Sequence, residues 1–274
     1  MRNSFIVSAA MCAALVGCSS GASKGVTVSA SAASAVGTAP RTGAKSIDAG
    51  NGISIDRLRL VVRRFEIEGS PACAPATPAS SGGSSGTGGM GRSMDGSDDT
   101  SGDGSDCEVE KGPLLVDLSG ADLAGGVHPV AAIDVPSGTY QEVKFQIHAI
   151  DATQAGTSAA LGEMAAAGAS ILVDGTMDGK TFQFKSAIEV AQKREGTIVV
   201  DPLTGANVTL DVDASGWFKA ADGSKLDPSD AAAAPAIEAN IRSSIRVVHD
   251  DDHDGKDDEG GDHQGSGQDL RAAR

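Results

Sequence analysis

The run Asp250-Asp251-Asp252-His253-Asp254-Gly255-Lys256-Asp257-Asp258 sets carboxylates at alternate positions ahead of a glycine. This is the D-x-D-x-D-G spacing of calcium loops: alternate side chains converge on a hard cation, and the glycine permits a sharp turn. Asp250, Asp252 and Asp254 occupy positions one, three and five. A complete twelve-residue loop closes on a bidentate glutamate. Position twelve here is Gly261, so Asp258 at position nine is the available substitute. The same residues also read as a solvated acidic tail, and on sequence alone that reading is preferred. Asp99, Ser101, Asp103, Gly104 and Glu110 give a second near-match, but Asp106 stands where an apolar residue belongs. His249, His253 and His263 form a looser set suited to a transition metal. His128 and His148 come with neither a nucleophile elbow nor a paired-histidine motif. No catalytic residue is therefore assigned, an enzyme is not expected, and no cofactor is assigned, with calcium ahead of a transition metal as the candidate.

The cysteines carry the other chemistry. Arg2 precedes an apolar run from Phe5 to Leu15, too short to span a bilayer and of the form of a secretory signal. Its end, Leu15-Val16-Gly17-Cys18, resembles the lipobox of bacterial lipoproteins. The resemblance implies removal of residues 1–17 and acylation of both the Cys18 thiol and its new amino terminus. One acyl chain anchors marginally, whereas several hold a protein stably at a membrane. Ser19 in place of an aspartate points, within that family, to the outer membrane. Cys12 leaves with the signal. Cys73 and Cys107 remain as an even pair in an exported chain, and one disulfide is expected. In the chain-entropy model, closing a loop of about 35 residues is worth about 3–4 kcal/mol.

A formal charge of -15 argues against nucleic acid as a partner. Aromatic residues are 3% of the chain and glycines number 36, so long stretches are poor material for a core. Residues 18–48 read as a lipidated cysteine followed by a Ser/Ala/Gly tether. Residues 49–248 read as one folded domain, interrupted by a low-complexity insert over 70–107 with little to bury. Residues 249–274 read as a disordered acidic tail.

Within the domain, strand patterns recur. Leu58, Leu60 and Val62 alternate with Arg57, Arg59 and Arg63 inside Ile53–Ile67. Further strands are expected at Leu114–Leu118, Ala131–Val135, Thr139–Ile150, Ile171–Val173, Thr181–Val190, Thr197–Val200 and Asn207–Val212. Ala159–Ala167 suggests a short helix. A longer helix is expected near the end: Asp227-Pro228 opens it, Pro235 kinks or restarts it, and Ile237, Ile241, Ile245 and Val248 form its stripe. Trp217-Phe218 reads as a core plug against that helix in preference to a small exposed ligand platform.

The run Asp134-Val-Pro-Ser-Gly-Thr-Tyr140-Gln-Glu-Val143-Lys-Phe145, with Leu115-Val-Asp117-Leu118 before it, resembles an exported bacterial family called domain of unknown function 4382. The resemblance covers roughly residues 50–250 without the insert. It implies a prealbumin-like or immunoglobulin-like β-sandwich and carries over no catalytic residue. The expected protein is thus an all-β sandwich with one C-terminal helix, lipid-anchored in the cell envelope. It serves as a non-catalytic binding or structural module for an envelope protein or small ligand. A calcium-responsive surface protein is the alternative.

Overall fold

Alternation of apolar and polar side chains builds most of the strands in the computed structural model, which describes residues 25–33, 46–69 and 107–258. In chain order the elements are β1 (Val26–Ala33), β2 (Ile47–Gly50), β3 (Ile53–Gly69), β4 (Cys107–Lys111), β5 (Leu114–Ser119), β6 (Val127–Ile133) and β7 (Gly138–Ile147). Two helices follow, α1 (Ala152–Ala155) and α2 (Ala159–Ala167), then β8 (Ile171–Met177), β9 (Lys180–Ser186), β10 (Val190–Val200) and β11 (Ala206–Asp213). The last are α3 (Ala234–Ser243) and β12 (Ile245–His249).

Among the described residues these strands form two sheets, an all-β sandwich with few helices. The smaller sheet runs β12-β11-β1-β6, with β1 parallel to β11. The larger runs β10-β7-β3-β8-β9. Its axis is β3: one edge takes β8 and then β7, and the other takes β2, β5 and β4 in succession. Val26, Val28, Ala30, Leu210 and Val212 of the small sheet share one core with Leu58, Leu60, Phe65, Val143, Phe145 and Val173 of the large one. Trp217 and Phe218 are buried in that core with Ile237 and Ile241 of α3, and Trp217 Nε1 donates to Ser244 Oγ at 2.6 Å. A smaller core puts Leu161 and Met164 of α2 over Val61 and Leu172 on the other face of the large sheet. At the Pro136–Tyr140 turn, the Tyr140 hydroxyl donates to the Pro136 carbonyl at 2.9 Å. Both pairings of β7 shift register between Tyr140 and Glu142, so inward positions pass from Tyr140 to Val143.

Three expectations are corrected. The tether expected over 18–48 contains β1, which is the inner strand between β11 and β6, and the start of β2. Val26, Val28, Ala30 and Ala32 are all buried. The period of two is there, but small side chains and interleaved serines give it the composition of a linker. The chain enters β1 through Gly25, at φ +68, where a Cβ would lie 2.1 Å from the Ile133 carbonyl oxygen. Residues 25–33 therefore belong to the folded domain, ahead of the expected start at 49.

The second correction concerns the helix. It begins at Ala234, the restart expected at Pro235, whose missing N–H rules out a continuous helix from Asp227, and it stops at Ser243. Asp227 instead accepts from Ser229 N at 2.8 Å within a turn. Ile245 and Val248 belong to β12, so the apparent helical stripe spans a helix and a strand. The third concerns the acidic tail: residues 249–258 are folded onto the small sheet. Residues 259–274 and the insert over 70–106 lie outside the described residues. The insert leaves from Gly69 and returns at Cys107, and those two residues face each other across the β3–β4 ladder.

Candidate metal centre

The outer face of the small sheet is polar, which explains why an aspartate loop settles there. Ser29 Oγ donates to Asn207 Oδ1 at 2.7 Å, and Asn207 Nδ2 donates to Thr209 Oγ1 at 3.0 Å. Ser29, Asn207 and Thr209 are all buried. Buried polar groups need partners, and the chain after β12 supplies them. His249 pairs with Val208, and Asp250 N donates to the Asn207 carbonyl at 3.1 Å. Asn207 Nδ2 donates to the Asp250 carbonyl at 2.7 Å. Asp250 itself is 0% exposed: Oδ2 accepts from Thr209 Oγ1 at 2.7 Å, and both oxygens lie 3.2 Å from Gly255 N. That return contact needs a tight reversal. Gly255 takes φ +79 and packs near Val127 and Ser31, and His253 sits at φ 59 in the left-handed region that histidine tolerates better than most residues.

Donor atoms of Asp250, Asp252 and Asp254 come within 4.8 Å of one another, as their alternation requires. Asp254 N donates to Asp252 Oδ1 at 3.1 Å. Lys256 approaches Asp254 twice, through its backbone N at 2.8 Å and its ammonium at 2.6 Å. Hydrogen bonding to that ammonium holds the Asp254 carboxyl below the usual carboxylate range and pushes Lys256 up. An oxygen-only group of three carboxylates suits a hard divalent cation, with Lys256 as its internal competitor.

Asp258, expected as a fourth ligand of this set, is grouped with His249 and Asp251 instead. Asp258 N donates to the His249 carbonyl at 2.9 Å, which brings the returning chain to that side of the loop. A third acidic group, Glu66, Glu68 and Glu108, was not anticipated and is served by cations already. Arg64 lies 2.9 Å from Glu66 and 3.4 Å from Glu108, and Lys144 lies 3.1 Å from Glu66 and also pairs with Glu68 and Glu142. Burial works against the Lys144 charge, but these carboxylates outweigh it and push its pKa up. Period-two charge along β3 and β7 is the signal that foretells such a ladder.

The remaining sites are quickly placed. Cys18 and Cys73 lie outside the described residues, and Cys107 opens β4. His128 is in β6, with Nδ1 3.4 Å from Asp122, beside a cavity of about 280 Å³ that Asp117 also lines. That lining holds no serine, cysteine or lysine among the described residues. Bidentate donation from Arg57 holds the Asp117 carboxyl below its usual range. His148 Nε2 lies 2.6 Å from Glu189 and Nδ1 lies 2.6 Å from the Ala149 carbonyl. No family model, no curated protein and no solved structure matches the chain.

Proposed function

We propose that this chain is a lipid-anchored protein of the bacterial cell envelope, a non-catalytic binding module held close to the bilayer through Cys18. The observation that carries this is the end of the sandwich at which β1 begins. Only residues 19–24 separate Cys18 from Gly25. Fully extended, that segment reaches about 25 Å, and as a coil about 15 Å. Ala206 N donates to the Gly25 carbonyl at 3.1 Å, so loop 201–205 sits beside the start of β1. Leu203 on that loop is 77% exposed, the more exposed of two large apolar side chains so described. An apolar tip beside a lipid anchor suits insertion among headgroups. No helix of the described residues is long and apolar enough to cross a membrane.

The outer membrane is the destination that Ser19 favours, and an envelope protein or small ligand is the partner class. Fractionation of envelopes tests the anchor: wild type sediments with membranes, and Cys18→Ser is released. A Cys18→Ser variant that still sediments with membranes contradicts the proposal. Crosslinking in intact envelopes followed by pull-down then identifies what the module contacts.

A second reading, a calcium-responsive surface protein, is favoured by the convergence of Asp250, Asp252 and Asp254. Calorimetric titration with calcium, with hydrogen exchange read over 249–258, decides it. Absence of both heat and added protection sinks this reading.

A further inference from the structure

His249 is the group in this region that the calcium reading does not use. It closes β12 and is 8% exposed, yet neither ring nitrogen has a hydrogen-bond partner. Buried imidazoles ordinarily satisfy both nitrogens. Nε2 does lie 3.1 Å from Asp251 Oδ2, but out of line for an N–H donation. Two donor atoms at that separation, without a proton properly aimed between them, have the spacing of neighbours in a coordination sphere.

The surroundings are arranged to match. A turn follows β12, with His253 N donating to the Asp250 carbonyl at 3.3 Å, and in it His249 and Asp251 group apart from Asp250, Asp252 and Asp254. Asp258 joins them on the returning chain, and donor atoms of His249, Asp251 and Asp258 all fall within 4.8 Å of one another. Each carboxylate has one oxygen tied to a backbone amide. Asp251 Oδ1 accepts from Asn207 N at 2.8 Å, and Asp258 Oδ2 accepts from Asp251 N. This leaves Asp251 Oδ2 and Asp258 Oδ1 for another partner, and such outer contacts orient the ligands of metal sites. Asp251 is half exposed, so solvent reaches the group and water can complete the sphere.

We infer that His249, Asp251 and Asp258 bind a divalent transition metal through Nε2 and two carboxylate oxygens. One imidazole and two carboxylates suit zinc, cobalt or manganese; calcium takes oxygen ligands. The site is distinct from the Asp250–Asp252–Asp254 group and does not depend on it.

Zinc alone is the probe. Mature full-length protein in detergent is titrated calorimetrically with zinc chloride, with excess calcium present to fill the oxygen-only group. One zinc equivalent is expected in wild type, weakened by at least about 10-fold in His249→Gln and in Asp258→Asn. Cobalt substitution gives a visible band in wild type that His249→Gln shifts or loses. His263→Ala leaves both signals unchanged. Wild-type protein that takes no zinc overturns the inference, as does unchanged affinity in both His249→Gln and Asp258→Asn. Circular dichroism checks folding; should His249→Gln not fold, Asp251→Asn at the half-exposed ligand replaces it, and wild-type affinity there is equally contradictory.

Discussion

Replacing Asp250 by alanine separates a folded loop from a solvated tail. The carboxylate is fully buried and accepts from the Thr209 hydroxyl at 2.7 Å and from Gly255 N at 3.2 Å. Hydrogen bonds to a charged group are each worth about 1.5–3 kcal/mol. Removing the carboxylate strands two donors beneath the loop, while relief from burying a charge offsets part of the loss. The net expectation is about 3 kcal/mol of destabilisation. For a domain of this size that lowers the melting temperature by about 6–12 °C. Asp250→Asn keeps one acceptor and should lose roughly half as much. Asp252, exposed and bonded to Asp254 N alone, should cost at most about 0.5 kcal/mol when changed to alanine. The assay is thermal and urea unfolding in chelator, so that no bound cation contributes. An Asp250→Ala protein melting within a degree or two of wild type refutes the packing of this loop.

Three further outcomes follow from the same contacts. Val28→Ala in β1 should cost about 2 kcal/mol in urea unfolding, since a buried strand residue is truncated; a tether residue would cost nothing. A chain ending at residue 248 should lose cooperative unfolding, because the Asn207 and Thr209 partners go with residues 249–258. Asp211 is raised above the usual carboxylate range chiefly by burial, with Arg246 and Ser31 opposing. A carboxyl raised in the folded state favours folding at low pH, and that contribution is lost as pH climbs through its folded value. Asp211→Asn should therefore compare better with wild type at pH 7 than at pH 4 in paired melting curves.

How much of this was legible depends on side-chain size and on what covers each face. Strands β3, β7 and β11 were readable because Leu58, Val143, Phe145 and Val208 are large and alternate with polar residues. Helix α2 matches the alanine-rich stretch Ala159–Ala167. Trp217-Phe218 is buried against α3, as the core-plug reading expects, and is not an exposed platform. β1 was not legible, because Ala30 and Ala32 fill its core positions and Ser29 and Ser31 bond to Asn207 and Asp211 of β11 rather than to solvent. Nor was the fold of 249–258: its partners Asn207 and Thr209 lie some forty residues earlier, and a charge run carries no local sign of them. Ile245 and Val248 satisfied helical spacing by coincidence across the α3–β12 boundary. The spacing of Asp250, Asp252 and Asp254 did mark a converging trio. Asp258 went to His249 because the chain reverses at Gly255.

Intact mass spectrometry of the mature protein from envelopes tests anchoring most directly. The account predicts a chain that begins at Cys18 and carries a diacylglyceryl thioether and an amide-linked acyl chain. A mature chain with an unmodified Cys18, or cleaved at another position, would contradict it.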